Sequence, residues 1–227
     1  MVALLWSAAT IGAYLGSRAM LRRLPRVGVP PLAMAALILI VAALAVHTSY
    51  REYMKATGWL VTLLGPATVA FAVPIYEQRA LIRRRWRILA LGMLAGSSTS
   101  MISAWALATL LGIDEEVRLN LLPRSISTPF AAAVSGAIGG DADLTTLFVI
   151  ATGLVGMTLA ELVLICLPIR SALARGALLG LGAHGMGTAK AHEIGEEEGT
   201  IAGLTMVLTG LLNVLAAPLI GECLRVA

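Results

Sequence analysis

The chain has 227 residues, of which 58% are hydrophobic and only 13% charged, with a mean hydropathy of +0.87 and a formal net charge of +4. A soluble domain carries about twice that share of charge, and the apolar residues here fall in runs of roughly 15 to 25, enough to cross a hydrocarbon core about 30 Å thick. A soluble globular protein is excluded, and the basic residues, nearly all arginine and set between apolar runs, form a topology signal rather than a nucleic-acid footprint.

The first apolar run, 2–20, has no basic segment before it and no small-residue cleavage site, so it reads as a retained span. Arg18, Arg22, Arg23 and Arg26 follow it. Pro30 and Pro31 open the second run, 32–46, and the polar stretch 47–57 reads as a loop or interfacial turn. The third run, 58–76, is interrupted by Pro66 and Pro74 and leads into the densest basic cluster: Arg79, Arg83, Arg84, Arg85 and Arg87. The fourth, 88–112, ends at the acidic patch Asp114-Glu115-Glu116.

Residues 122–140 break the pattern. The segment is small and nearly uncharged, yet it opens Leu122-Pro-Arg-Ser-Ile-Ser-Thr-Pro129 and so holds hydroxyls, two prolines and Arg124. It predicts a broken helix whose free N-terminal N–H groups face a substrate, with Ser127 or Thr128 as cap and Pro129 in the first turn. A clean run at 144–167 comes next, then Arg170 and Arg175. The glycine-rich segment 176–192, with Gly182-Ala-His-Gly-Met-Gly-Thr-Ala-Lys190 at its centre, is followed by Glu193, Glu196-Glu197-Glu198 and a last span at 199–220. Cys166 and Cys223 suggest neither a disulfide nor a metal site and read as packing residues.

Placing the arginine clusters in the cytoplasm puts the N-terminus outside. The expectation is an all-α polytopic membrane protein: a single integral domain over 1–227, with about six transmembrane helices plus two discontinuous, re-entrant segments entering from opposite sides. If those segments cross fully, the count rises to eight. A weak internal repeat, about 1–97 and 98–227, is suggested by the match of 24–33 to 122–131 and of 65–70 to 185–190. Such inverted repeats with broken helices at the midplane are the pattern of secondary transporters.

Several side chains have a functional and a plain reading. Ser125, Ser127 and Thr128 can meet a carboxylate, or simply cap and pack a helix. Arg124 can pair with the same anion or snorkel to the interface. His184 is a candidate ligand or proton relay, or a histidine bonded to a neighbour. Gly185 and Gly187 allow close backbone approach and Thr188 adds a hydroxyl. Lys190 supplies a counter-charge or pairs with Glu193. The candidate substrate-binding set is Arg124, Ser125, Ser127, Thr128, Pro129, His184, Gly185, Gly187, Thr188 and Lys190. Glu161, lone in an apolar run, joins His184 and Asn213 as a candidate proton or ion residue; a structural ion pair for Glu161 and an interhelical hydrogen bond for Asn213 are the alternatives. With no nucleophile elbow, paired metal ligands or phosphate loop, neither an enzyme nor a metal or cofactor site is expected.

Gly65-Pro-Ala-Thr-Val-Ala-Phe-Ala-Val-Pro-Ile-Tyr-Glu-Gln78, Leu122-Pro-Arg-Ser-Ile-Ser-Thr-Pro129, Gly139-Gly140, His184-Gly-Met-Gly-Thr-Ala-Lys190 and Glu197-Glu-Gly199 together closely resemble the LrgB/CidB family over essentially the whole chain. The resemblance implies a holin- or antiholin-like protein of the bacterial cytoplasmic membrane, acting with a small LrgA/CidA-type partner on murein hydrolase activity and lysis. It also implies passage of a small monocarboxylate: glycolate or glycerate, as in the plastid relative, or pyruvate, as in some bacterial pairs. The main expectation is therefore a secondary transporter of small organic monocarboxylates, working as a homo-oligomer (a dimer) in the bilayer, with the holin-like regulator as its rival. Three positions depart from the family pattern: Pro30 replaces the Asn of an Asn-Pro pair, Ala183 replaces the Ser of Ser-His, and Glu161 stands where a neutral residue or His is expected.

Overall fold

The computed structural model describes residues 2–23 and 31–226. Residues 24–30, which hold Arg26, Pro30 and most of one repeat match, lie outside the described residues. Among the described residues every regular element is helical, and contacts gather into two compact units, Met1–Ala67 and Thr68–Ala227.

The first unit contains α1 (Val2–Arg23), α2 (Pro31–Ala45), α3 (Tyr50–Thr57) and α4 (Trp59–Thr62). The polar stretch read as a loop is largely helix α3. Its start is fixed by a capping box in which the Ser49 hydroxyl accepts the Glu52 N–H and the Glu52 carboxylate takes the Ser49 N–H. That backbone bond holds the Glu52 carboxyl below its ordinary pKa. Polar contacts tie α1 down: Ser7 Oγ donates to the Ala56 carbonyl at 3.1 Å and accepts from Trp59 Nε1 at 2.8 Å, and Thr10 meets the Tyr53 hydroxyl at 2.9 Å.

The run expected as one span at 58–76 is divided into α4, α5 (Leu64–Ala70) and α6 (Ala72–Glu77). Pro66 and Pro74 each fall in the first turn of a restarted helix, where a missing N–H costs nothing. The second unit continues with α7 (Arg79–Leu110), α8 (Glu115–Leu121), a 3₁₀ turn (Leu122–Ser125), α9 (Thr128–Ile138), α10 (Ala142–Cys166), α11 (Ala172–Ile194) and α12 (Glu196–Val226). Among the described residues, three stretches are long and apolar enough to cross a membrane: Arg79–Leu110, Ala142–Cys166 and Glu196–Leu224. Cys166 and Cys223 are free and exposed, not packed as expected.

Two helical hairpins lie along α10. In the first, α8 and the 3₁₀ turn run in the direction of α10, with Asn120 beside Thr145 and Arg124 beside Thr152. The chain then turns through extended backbone at Ile126 and Ser127 and returns as α9, which brings Ser135 back to Asn120 and Thr145. In the second hairpin the turn is at His184, the one non-helical residue inside α11 (φ 39°, ψ −119°). Up to it, α11 runs parallel to α12: Arg175 pairs with Glu198 at 3.6 Å, and Gly176 and Gly180 lie against Glu198–Ile201 and Ala202–Thr205. Beyond it the order reverses. Thr188 meets Met206 and Gly203, and His192 meets Gly199.

The first hairpin is locked at its base by Asn120, which has no exposed surface. Its amide oxygen accepts the Asp141 N–H at 2.7 Å and the Thr145 hydroxyl at 2.9 Å, and its Nδ2 donates to the Glu116 carbonyl at 2.8 Å. Gly139 supplies the left-handed helix end (φ 86°), and a Cβ at Gly140 would sit 2.7 Å from the Asn120 amide oxygen. Asn120→Ala is expected to destabilise the fold by about 2 kcal/mol by removing the buried amide that joins Glu116, Asp141 and Thr145, read as a lower melting temperature of the detergent-purified protein.

Candidate functional site

The tips of both hairpins reach the same place on α10, Thr152 and Gly153, near the middle of that 25-residue helix. The first hairpin arrives from the N-terminal end of α10. The second arrives from the C-terminal end, where Lys190 pairs with Glu161, and a Cβ at Gly156 would collide with the Gly182 carbonyl. Gly153 is the notch that admits the second tip, because a Cβ there would lie 2.9 Å from His184 Cε1.

Arg124, half-buried in the 3₁₀ turn, makes one long hydrogen bond, from Nη1 to Thr152 Oγ1 at 3.4 Å. None of the three ion pairs among the described residues involves it. His184 is 4% exposed, and its buried Nε2 has no hydrogen-bond partner among the described residues. A guanidinium without a carboxylate and an imidazole nitrogen without a partner therefore face one junction. Both are costly in an apolar interior unless a polar ligand meets them.

The hydroxyl residues play several parts. Ser127 occupies the N-cap position of α9, but its side chain makes no capping bond; instead its carbonyl accepts from Phe130 N at 3.0 Å and Ala131 N at 2.9 Å. The hydroxyl cap expected there does not form, while Pro129 does sit in the first turn. Ser125 ends the 3₁₀ turn, and Ser125, Ser127, Thr128 and Pro129 are all partly exposed around the first tip. Thr188 returns its hydroxyl to the His184 carbonyl at 2.9 Å, satisfying an acceptor that the break would leave weakly bonded.

The two glycines after His184 differ. Gly185 is exposed, with nothing within 4 Å of an added Cβ, whereas Gly187 is buried with its Cα against the Leu179 carbonyl. Three further residues stand in structural bonds. Lys190 pairs with both Glu161 (2.6 Å) and Glu193 (3.0 Å), clasping the return limb of α11 to α10. Asn213 accepts from Ser97 Oγ at 2.8 Å and donates to the Thr209 carbonyl, joining α12 to α7. Thr152, Gly153 and Asn120 are not singled out by the sequence; Asn120, an amide two residues before a Leu-Pro-Arg break, carries the one usable signal.

Comparison with known proteins gives one consistent answer. The family model described as the LrgB-like family matches residues 10–223. The chain is 37% identical to the uncharacterized protein YwbG of Bacillus subtilis (strain 168), covering 92% of this chain and 93% of the relative. It is 36% identical to YxaC of the same organism, over 93% and 92%. It is 30% identical to the holin-like protein CidB of Staphylococcus aureus (strain N315), over 96% of this chain and 95% of that one. No solved structure matches the chain.

Proposed function

The chain belongs to the LrgB-like family, and from that membership we propose a holin-like role, in which a multi-pass protein of the bacterial cytoplasmic membrane controls what that membrane lets through. The means is passage of small organic monocarboxylates of the glycolate, glycerate or pyruvate type between the two hairpin tips, rather than a wide lesion.

One observation carries this reading. Arg124 stands without a carboxylate partner beside the unpartnered His184 Nε2, at mid-length of a helix apolar enough to span the bilayer. One uncompensated cation suits one carboxylate, and a guanidinium can grip it with two parallel hydrogen bonds. The Ser125, Ser127 and Thr128 hydroxyls offer contacts for a 2-hydroxy or 2-oxo group. In this proposal α1, α2, the α4–α6 run, α7, α10 and α12 are the six spans, the N-terminus is outside, and the hairpins are re-entrant from opposite faces. Broken helices meeting at the midplane of an inverted repeat suit alternating access by an elevator or rocking motion.

The holin-like name of the CidB relative favours a second reading; in it, as the family resemblance implies, copies assemble with each other or with a small LrgA/CidA-type partner to regulate murein hydrolase activity. Proteoliposomes holding the purified protein alone separate the two. The transport reading expects saturable uptake of labelled glycolate, glycerate or pyruvate, with no leakage of a bulky anionic dye. Dye leakage, or flux that appears only when the small partner is added, would favour assembly.

A further inference from the structure

We propose that the arginine-rich start of α7 is a binding site for the phosphate headgroup of an anionic phospholipid. Arg79, Arg83 and Arg84 line an open concavity of about 410 Å³ whose remaining lining residue is the small Ala80. All three arginines are exposed, and none of the ion pairs among the described residues involves them or their neighbours Arg85 and Arg87. Arg79, Arg83 and Arg87 follow one another at four-residue spacing, where like charges on a helix repel, and an anion between them removes that cost.

Aromatic rings hold two of the cations. The Arg79 guanidinium lies 4.3 Å over Tyr76 while Nη1 donates to the Tyr76 carbonyl at 2.9 Å, and Arg87 lies 5.5 Å over Trp86. Tyr76 and Trp86 are themselves 68% and 57% exposed, as residues of a headgroup-level aromatic belt are.

A lipid is favoured over free phosphate by what lies next along the helix. Leu91 and Leu94 are 68% and 50% exposed and fall below the arginines on the same side, in the stretch apolar enough to span the membrane. An acyl chain can follow them while its phosphate stays among the arginines. Basic clusters bordering a span are general attractors of anionic lipid; here the aromatic clamps and the Ala80 floor localise the headgroup.

Native mass spectrometry of the detergent-purified protein tests this with phosphatidylglycerol, phosphatidylcholine of the same chains, and glycerol 3-phosphate. The expected result is retained phosphatidylglycerol adducts, reduced at least ten-fold in the triple variant Arg79→Gln, Arg83→Gln, Arg84→Gln and unchanged in the exposed control Arg170→Gln, with circular dichroism showing both variants folded. Equal retention in the triple variant, or phosphatidylcholine bound as well as phosphatidylglycerol, would overturn the proposal. So would displacement by glycerol 3-phosphate at equal concentration, which would assign the arginines to a soluble phosphate.

Discussion

Gly187→Ala is expected to lower the stability of the folded protein by about 3 kcal/mol, a fall of roughly 6–12 °C in melting temperature for a chain of this size. Gly185→Ala, two residues earlier, is expected to change it by less than about 0.5 kcal/mol. The contrast comes from the reversal at His184. Where the chain doubles back, the return limb passes so close to the outgoing one that a Cβ at Gly187 would overlap the Leu179 carbonyl and crowd the Ala183 side chain. Backbone oxygen cannot rotate away as a side chain can, so the tip must open to admit the methyl. Gly185 points into open space and is exposed. Thermal unfolding of the two variants in detergent, side by side, reads the difference. Similar melting temperatures would mean that the limbs of α11 are not packed back to back.

Arg124→Gln is expected to raise the half-saturation concentration for monocarboxylate uptake by roughly thirty-fold, since a hydrogen bond to a charged group contributes about 2 kcal/mol. Arg124→Lys keeps the charge and loses the fork, so part of the affinity survives. His184→Ala acts on the same junction. It removes the unpartnered Nε2 and opens space against Gly153, so uptake falls even where substrate concentration is saturating. Glu161→Gln differs from both. It releases one of the two carboxylates holding Lys190 at the base of the hairpin, leaves Glu193 in place, and alters neither tip.

Much of this arrangement is legible in the chain itself. The prolines and hydroxyls of 122–129 announce a break, and the structure places extended backbone at Ile126 and Ser127. Glycines on both sides of His184 announce another, and the chain reverses there. Local chemistry writes such breaks, so sequence reveals them. Partners far apart in the chain are not written locally. Nothing near Glu161 indicates that Lys190 neutralises it, nothing near Asn213 points to Ser97, and Thr152 and Gly153 look like any other residues of an apolar helix. The capping role expected of the Ser127 hydroxyl fails for a related reason: α9 begins with the right residue, but its first N–H groups go to the Ser127 carbonyl. Gly185 and Gly187 are indistinguishable by type and differ only in what tertiary folding puts beside them.

The central claim is that the two hairpin tips form one monocarboxylate site. It is tested most directly by initial rates of labelled glycolate and pyruvate uptake into proteoliposomes holding the wild-type protein, Arg124→Gln, His184→Ala or the exposed control Arg170→Gln, each verified as folded and equally reconstituted. A shared site predicts saturable uptake by the wild type and Arg170→Gln, a much weakened half-saturation in Arg124→Gln and near-complete loss in His184→Ala. Equal rates in all four, or no uptake by a folded wild type, would contradict it.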